Sequence, residues 1–463
     1  MSVLKSLLTS LVNILIRMKN SAFVWGAWLI VPVIMEFAPA IRGALLLRKR
    51  YKTYKNRSEK LEFVPEITII IPVYNSKDTL YNCIKSVHES SYPNNRMNII
   101  LVDNKGSKED FMEFQRAQND FTELRMQWIE SEQGKSKAMN KALYNSRGQY
   151  IINVDSDGTF EEHAIENMIL KFEDDQSINC MTGAILTNPD DIESFRLGPK
   201  RLLKKLEFME YAQAFLAGRS YSAHDNNIYT LSGAFSAFRK SAVLTSRLYN
   251  TDTICEDTQM TFQIKYIESD KVDICEDAIY FVEPISGLDE LYTQRQRWQR
   301  GSLEVGKMFF NRFSLLHAFD DTNMRTLMYD HTFAFPRMIW YVVTIYFIAT
   351  NYATNILVIT FILLYIMYVI IAFSYFLTAK KFLKKIKKAR WYYLRNWWCL
   401  VILPLYNFLV FLIRFSGVIN SIGTDSSWKT VTLKQEREKI WNTIRADFGM
   451  GNRHDEQETA KEK

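Results

Sequence analysis

The chain has 463 residues, 48% of them apolar and 14% aromatic, which is enough for a large core and too apolar for a disordered polymer. Its formal charge of +7 is equalled by the run AKKFLKKIKKAR at 379–390, with seven Lys and Arg and no acid, so the rest is near neutral and no broad nucleic-acid face is expected. Cys83, Cys180, Cys255, Cys275 and Cys399 are odd in number, far apart and without CxxC, which indicates neither a disulfide framework nor a zinc site and fits a reducing compartment.

In chain order, residues 3–16 are too short to span a bilayer and read as an interfacial helix. Residues 22–47 read as one membrane helix, ending at Arg48, Lys49 and Arg50 on the cytoplasmic side. ITIIIPVY (67–74) is a continuous apolar run ending in a turn, the pattern of a strand buried on both faces. A helical TLYNCIKSVHESS follows, then strands MNIILVD (97–103) and LRMQWIE (124–130), the helix SKAMNKALYNS and the strand QYIINVDSD (149–157). This βαβαβαβ rhythm predicts an α/β domain of Rossmann type, whose ligands lie beyond the carboxyl ends of the strands.

That rule gives the acids meaning. Asp103, Asp155 and Asp157 fall at strand ends and are expected to face one crevice, where crowded carboxylates call for a cation. A DxD spacing of oxygen ligands suits Mg²⁺ or Mn²⁺, although VDSDG is also good turn sequence. The absence of GxGxxG after the first strand and of a P-loop argues against dinucleotide redox and P-loop chemistry. SGAFSAFR (232–239) offers small residues where a ligand could approach the backbone. In CEDTQM (255–260), Glu256 and Asp257 open a helix, where Asp257 suits an N-cap and also a general base.

TQRQRWQRG (293–301) concentrates cations beside an indole. It reads either as an interfacial amphipathic helix or as a site in which Gln294, Arg297 and Trp298 combine hydrogen bonding, phosphate binding and sugar stacking. Apolar runs return at 333–350 and 354–378 as a hairpin, so the basic run 379–390 is expected inside. The last run, 396–422, contains Pro404 and Arg414; it is expected to bend at the proline and return, leaving the tail inside.

Taken in order, IIPVYN, the VD strand end, GKSKAMN, DSD, SGAFSAFRKSAV, ED and QRQRW resemble family 2 glycosyltransferases with a cytosolic GT-A domain, and more narrowly their membrane-embedded processive branch, the poly-N-acetylglucosamine, hyaluronan, chitin and cellulose synthases. The resemblance implies that Pro72, Tyr74 and Asp103 line the uridine site and that Lys135 meets the diphosphate. It implies that Asp155 and Asp157 hold the donor and its Mg²⁺ or Mn²⁺, that Asp257 is the general base with Glu256 beside it, and that Gln294, Arg297 and Trp298 form the QxxRW site for diphosphate and acceptor. Lys105 in LVDNKGSKED departs from the pattern, and Trp428 only loosely resembles the gating segment of processive synthases.

The expected organisation is an N-terminal membrane segment (1–50), a cytosolic GT-A domain (51–285), interfacial helices with QxxRW (286–332), a C-terminal transmembrane region (333–423) and a charged tail (424–463). The implied activity is inverting transfer from a UDP-sugar, UDP-N-acetylglucosamine or UDP-glucose, onto a cell-surface or extracellular polysaccharide at a bacterial plasma membrane. The partners implied are the growing glycan or a lipid-linked acceptor, membrane lipids and an accessory subunit, with no nucleic acid. The alternatives are a transferase adding one sugar to a lipid-linked acceptor, and a silent membrane scaffold or transport subunit.

Overall fold

A computed structural model describes residues 33, 37–57, 60–309, 334–350, 354–421, 432–438 and 441. The expectations for residues 3–16, most of 22–36, 310–332 and Trp428 lie outside the described residues.

Eight strands form one sheet in the order β3-β2-β1-β4-β7-β6-β8-β5. They are β1 (Ile67–Val73), β2 (Met97–Asp103), β3 (Arg125–Glu130), β4 (Tyr150–Val154), β5 (Gly158–Phe160), β6 (Ile178–Thr187), β7 (Phe235–Arg239) and β8 (Lys271–Val282). The first four pair in parallel, linked by helices α1 (Leu80–His88), α2 (Lys108–Asp120) and α3 (Lys135–Asn145). All seven residues of β1 are buried, as its unbroken apolar run requires. β1 pairs with β4 only over Ile67–Ile70, so Pro72 lies beyond that ladder and its missing N–H costs no bond on that side.

The second half departs from a purely parallel reading. β7 is antiparallel to both β4 and β6, which makes the sheet mixed. Its strand is five residues inside SGAFSAFR, too short a run for alternation to stand out from the small residues around it. Helix α4 (Ala164–Asp174) packs on β8.

A helix, αN (Ala38–Lys55), runs without a break through Arg48–Arg50. Arg48 and Lys49 are exposed, but Arg50 reaches into the domain and pairs with Asp273 and Glu276 of β8. Arg57 pairs with Asp277 at 2.6 Å, and Lys171 stands 3.4 Å from Asp273 and 3.3 Å from Glu276. Part of the cation cluster expected to end a membrane helix on the cytoplasmic side is therefore a buried latch between αN and the sheet.

Past the sheet come α5 (Pro199–Gln213), α6 (Glu256–Phe262), α7 (Leu288–Phe309), α8 (Ala334–Ala349), α9 (Thr354–Phe382), α10 (Lys387–Arg395) and α11 (Cys399–Asn420). Among the described residues two stretches are long and apolar enough to cross a membrane, Val358–Phe382 and Cys399–Asn420. The second corrects the expected bend: Pro404 lies inside one continuous helix of 22 residues. The proline removes only its own bond to the Leu400 carbonyl, and beyond it the helix is held by other contacts. Tyr406 donates to Glu210 of α5 at 3.0 Å, and Gln296 of α7 donates to Ser416 at 2.8 Å. Beyond α11, Asn420 donates to Glu436 at 2.9 Å, which brings residues 432–438 back beside its end.

Candidate functional site

The carboxyl ends of the parallel strands are aligned by register: Val73 pairs with Asp103, and Asp103 with Glu130. Two loops meet there. Asp103 accepts the Gly106 N–H at 2.7 Å, and Lys105 takes a left-handed turn, with φ 56°, that carries its side chain outward. Across from it Tyr74 is half exposed beside the left-handed Asn75, with φ 51°.

The two loops are fastened by a residue that sequence reading passed over. Asp110 is fully buried and accepts from Ser76 N at 2.8 Å and from Ser107 N at 3.0 Å, while the Ser76 hydroxyl lies 2.6 Å from that of Ser156 between the two aspartates of DSD. The Ser107–Asp110 capping box is a legible signal, but it says nothing of the second loop that the same carboxylate holds.

Lys135 opens α3 after Gly134, whose φ of 130° suits glycine. Its ammonium lies 2.5 Å from Asp155 and 3.3 Å from Glu256. Burial pulls its pKa down, but the carboxylates of Asp155, Glu256 and Asp257 outweigh this and hold it above the ordinary lysine value. Asp257 accepts from Gly233 N at 3.2 Å and from Thr258 N at 2.7 Å. Cys255 occupies the N-cap position of α6, which frees Asp257 from the capping role expected of it. Gly233 leaves room for this meeting, since a Cβ there would stand 3.3 Å from the Lys135 ammonium. Behind these groups a small pocket is lined by Asn153, Tyr249 and Gly233 together with Lys135, Glu256 and Asp257.

Positive charge is short in this cleft. Burial first, then Asp155, push the Asp157 carboxyl up to about 6 against the pull of Lys135. Asp157 is exposed at the cleft mouth, so solvent screens the effect and its direction is the useful part. Burial, and Asp257 beside it, also raise Glu256, with Lys135 opposing. The expected three-acid crevice is corrected: no three acid, His or Cys side chains gather at metal-binding spacing among the described residues. Asp103 is engaged with its own loop, and Lys135 joins Asp155 to Glu256 instead.

Helix α7 carries QRQRW to this cleft through one close contact. A Cβ on Gly301 would lie 2.0 Å from the Cys255 sulfur, so α7 presses directly on the start of α6. Trp298 is 37% exposed, and Gln294 Oε1 is buried without a hydrogen-bond partner among the described residues. Arg297 acts on the buried Cys255 thiol, which places it near the same helix start.

Neighbouring positions do different work. Arg295 is buried, pairs with Glu210 at 2.6 Å and lies 4.4 Å from the Trp298 ring, and Gln296 is tied to Ser416. One composition thus serves both a site and a brace, and only helical phase could have separated them.

Residues 68–245 match the model of the family described as Glycosyl transferase family 2. Over 260 residues, 55% of this chain and 59% of the relative, the chain is 26% identical to a poly-beta-1,6-N-acetyl-D-glucosamine synthase of Staphylococcus aureus strain MSSA476. The protein of that name from Staphylococcus epidermidis is 25% identical over 243 residues, 52% of this chain and 56% of the relative. The chain thus spans somewhat more than half the length of the curated relatives it matches. Among solved structures, a mannosyltransferase from Pyrobaculum calidifontis in complex with GDP-Man and Mn²⁺ superposes with a TM-score of 0.51 and 14% identity, covering 77% of this chain and 99% of that one. That likeness shows a GT-A, Rossmann-like fold.

Proposed function

From a chain whose residues 68–245 match the family 2 glycosyl transferase model, we propose an inverting membrane glycosyltransferase that uses a UDP-sugar to extend a polysaccharide. The observation that carries the reading is the junction of Lys135, Asp155, Glu256 and Asp257 at the strand ends, with QRQRW pressed against it through Gly301. The named relatives favour N-acetylglucosamine as the sugar.

In this mechanism Pro72, Tyr74 and Asp103 flank the uracil and Lys135 faces the diphosphate. Asp257, held rigid by two backbone N–H groups, takes the proton of the acceptor hydroxyl as it attacks the anomeric carbon. Glu256 beside it anchors Lys135. Arg297 stabilises the charge developing on the leaving diphosphate, and Trp298 and Gln294 hold the acceptor sugar. Asp155 and Asp157 fit a divalent ion, being oxygen donors at the mouth of a cleft short of positive charge, and the superposed mannosyltransferase holds Mn²⁺. When bound, Mg²⁺ or Mn²⁺ would supply neutralisation of the diphosphate.

The reading keeps residues 51–285 as the catalytic domain, 286–332 as its interfacial rim and 333–423 as the membrane region, with residues 1–50 before them and the tail 424–463 after. Two apolar helices support the membrane placement, and the glycan or lipid-linked acceptor would meet the cleft at α7. The test incubates purified membranes with UDP-N-acetylglucosamine, UDP-glucose and other UDP-sugars and sizes the products. Polymer from one donor is expected; single-sugar products would favour the lipid-linked alternative, and no UDP release from any donor would overturn the reading.

A further inference from the structure

The cationic run before α11 is not a loose solvated stretch. Leu383, Ile386, Ala389, Tyr392, Tyr393 and Cys399 point into the core, with Tyr392 edge-on to Phe208 and Tyr393 stacked on Phe376. One face of α10 is therefore bolted to the catalytic domain. Exposed on and around the other face are Lys384, Lys385, Lys387 and Lys388 and three indoles, Trp391, Trp397 and Trp398.

Lys388 pairs with Asp190 and Arg395 with Glu193. Lys384, Lys385 and Lys387 make no ion pair among the described residues, and no Asp or Glu occurs anywhere from 331 to 424. The indole end then runs into an apolar stripe: Trp398, Val401, Leu405, Phe408 and Leu412 are all exposed and follow a spacing of three and four residues along one face. Lysines, then indoles, then an outward apolar stripe is the order met on passing from water through headgroups into hydrocarbon.

We propose that residues 384–398 form a binding surface for anionic phospholipid headgroups. The lysines meet lipid phosphate, the indoles lie among the headgroups and the stripe on α11 enters the acyl region. A nucleic acid would satisfy the lysines but leave the stripe in water, and an acidic peptide would not account for three indoles continuous with it. Because this face is fixed rigidly to α5, lipid charge would set how the catalytic domain stands on the bilayer. The proposal rests on the reading of the chain as membrane-borne.

The test reconstitutes the full chain, with Leu394→Cys carrying an environment-sensitive fluorophore, into nanodiscs of phosphatidylcholine alone or with rising phosphatidylglycerol. The five native cysteines are buried, so the label is specific. Protection from the neutral quencher acrylamide is expected to rise with phosphatidylglycerol and to fall at 1 M salt, where the screening length is about 3 Å. Lys384→Gln, Lys385→Gln and Lys387→Gln together should weaken that lipid preference by roughly fivefold per charge, equivalent to about 1 kcal/mol each, and Lys→Arg at the same positions should restore it. Equal protection in neutral bilayers, a label exposed in every bilayer, or protection found only in native membranes, where a protein covers the face, would each overturn the proposal. Failure of the chain to enter any bilayer would overturn the membrane reading as well, whereas entry with an exposed label would overturn this inference alone.

Discussion

Two clusters of acids and bases stand on the same sheet and are balanced in opposite ways. At the αN latch, Arg50 and Lys171 face Asp273 and Glu276, and Arg57 faces Asp277. Burial alone would raise Glu276, but Arg50 and Lys171 hold its carboxyl down to about 2. In the cleft, Lys135 is shared between Asp155 and Glu256, and Asp157 is pushed up to about 6. A cluster that only joins two elements closes its own charge account, while one that receives a ligand is left short of the charge the ligand brings.

The comparison breaks most visibly at Asp257. Asp257→Asn is expected to lower sugar transfer by about 10²–10⁴-fold, the usual worth of a general base, with membrane level and thermal midpoint unchanged. Transfer near the parent rate would assign the base elsewhere.

At the latch the pattern should invert. Arg50→Met leaves Asp273 and Glu276 with only part of their compensation, and breaking a buried pair costs about 3–5 kcal/mol. The expected result is a lower thermal midpoint and poor accumulation, with normal donor affinity per folded molecule measured by UDP binding. A selective loss of donor affinity would mean that the latch belongs to the site.

Arg297→Lys tests the rim of the cleft. Lysine loses the bidentate fork, and a charge-assisted contact is worth about 1.5–3 kcal/mol, or one to two decades in rate. The comparison variant is the exposed Lys307→Gln, expected to transfer at the parent rate; Arg300 is buried and would be a poor control. Equal activities would return the stretch to a plain membrane anchor.

The smallest effect is a matter of sign. The folded pKa of Glu276 lies below its ordinary 4.5, so its contribution is full above that value and is lost as pH falls towards 2. The folded pKa of Asp157 lies above its ordinary 3.8, so the folded state binds the proton more tightly and stability falls as pH rises through about 4–6. Asp157→Asn should therefore raise the metal-free thermal midpoint slightly at pH 7 while removing any stabilisation by Mn²⁺. A lowered midpoint would place Asp157 with the structural acids.

The legible features were those fixed by local pattern. The β1 run, the VD and DSD strand ends and the small residues around Gly233 all follow from nearest neighbours, and the structure places Lys135, Asp155, Glu256 and Asp257 together. What sequence left hidden depends on partners far along the chain. Asp110 holds a loop 34 residues away, Arg50 finds acids more than 220 residues on, and α11 continues past Pro404 because of contacts with α5 and α7. β7 was hidden for another reason, since five residues give alternation little room to declare itself.

The meeting of α7 and α6 at Gly301 makes the rim of the cleft a lever with a fixed fulcrum. A single methyl group at that point has no space beside Cys255, so it would have to lift α7 as a body. Gln296 and Ser416 would transmit the lift to α11, and the far end of that rod is the stripe beginning at Trp398. A change of one carbon beside Cys255 would thus be felt at the other end of α11, as a tilt of the helix that carries the apolar stripe.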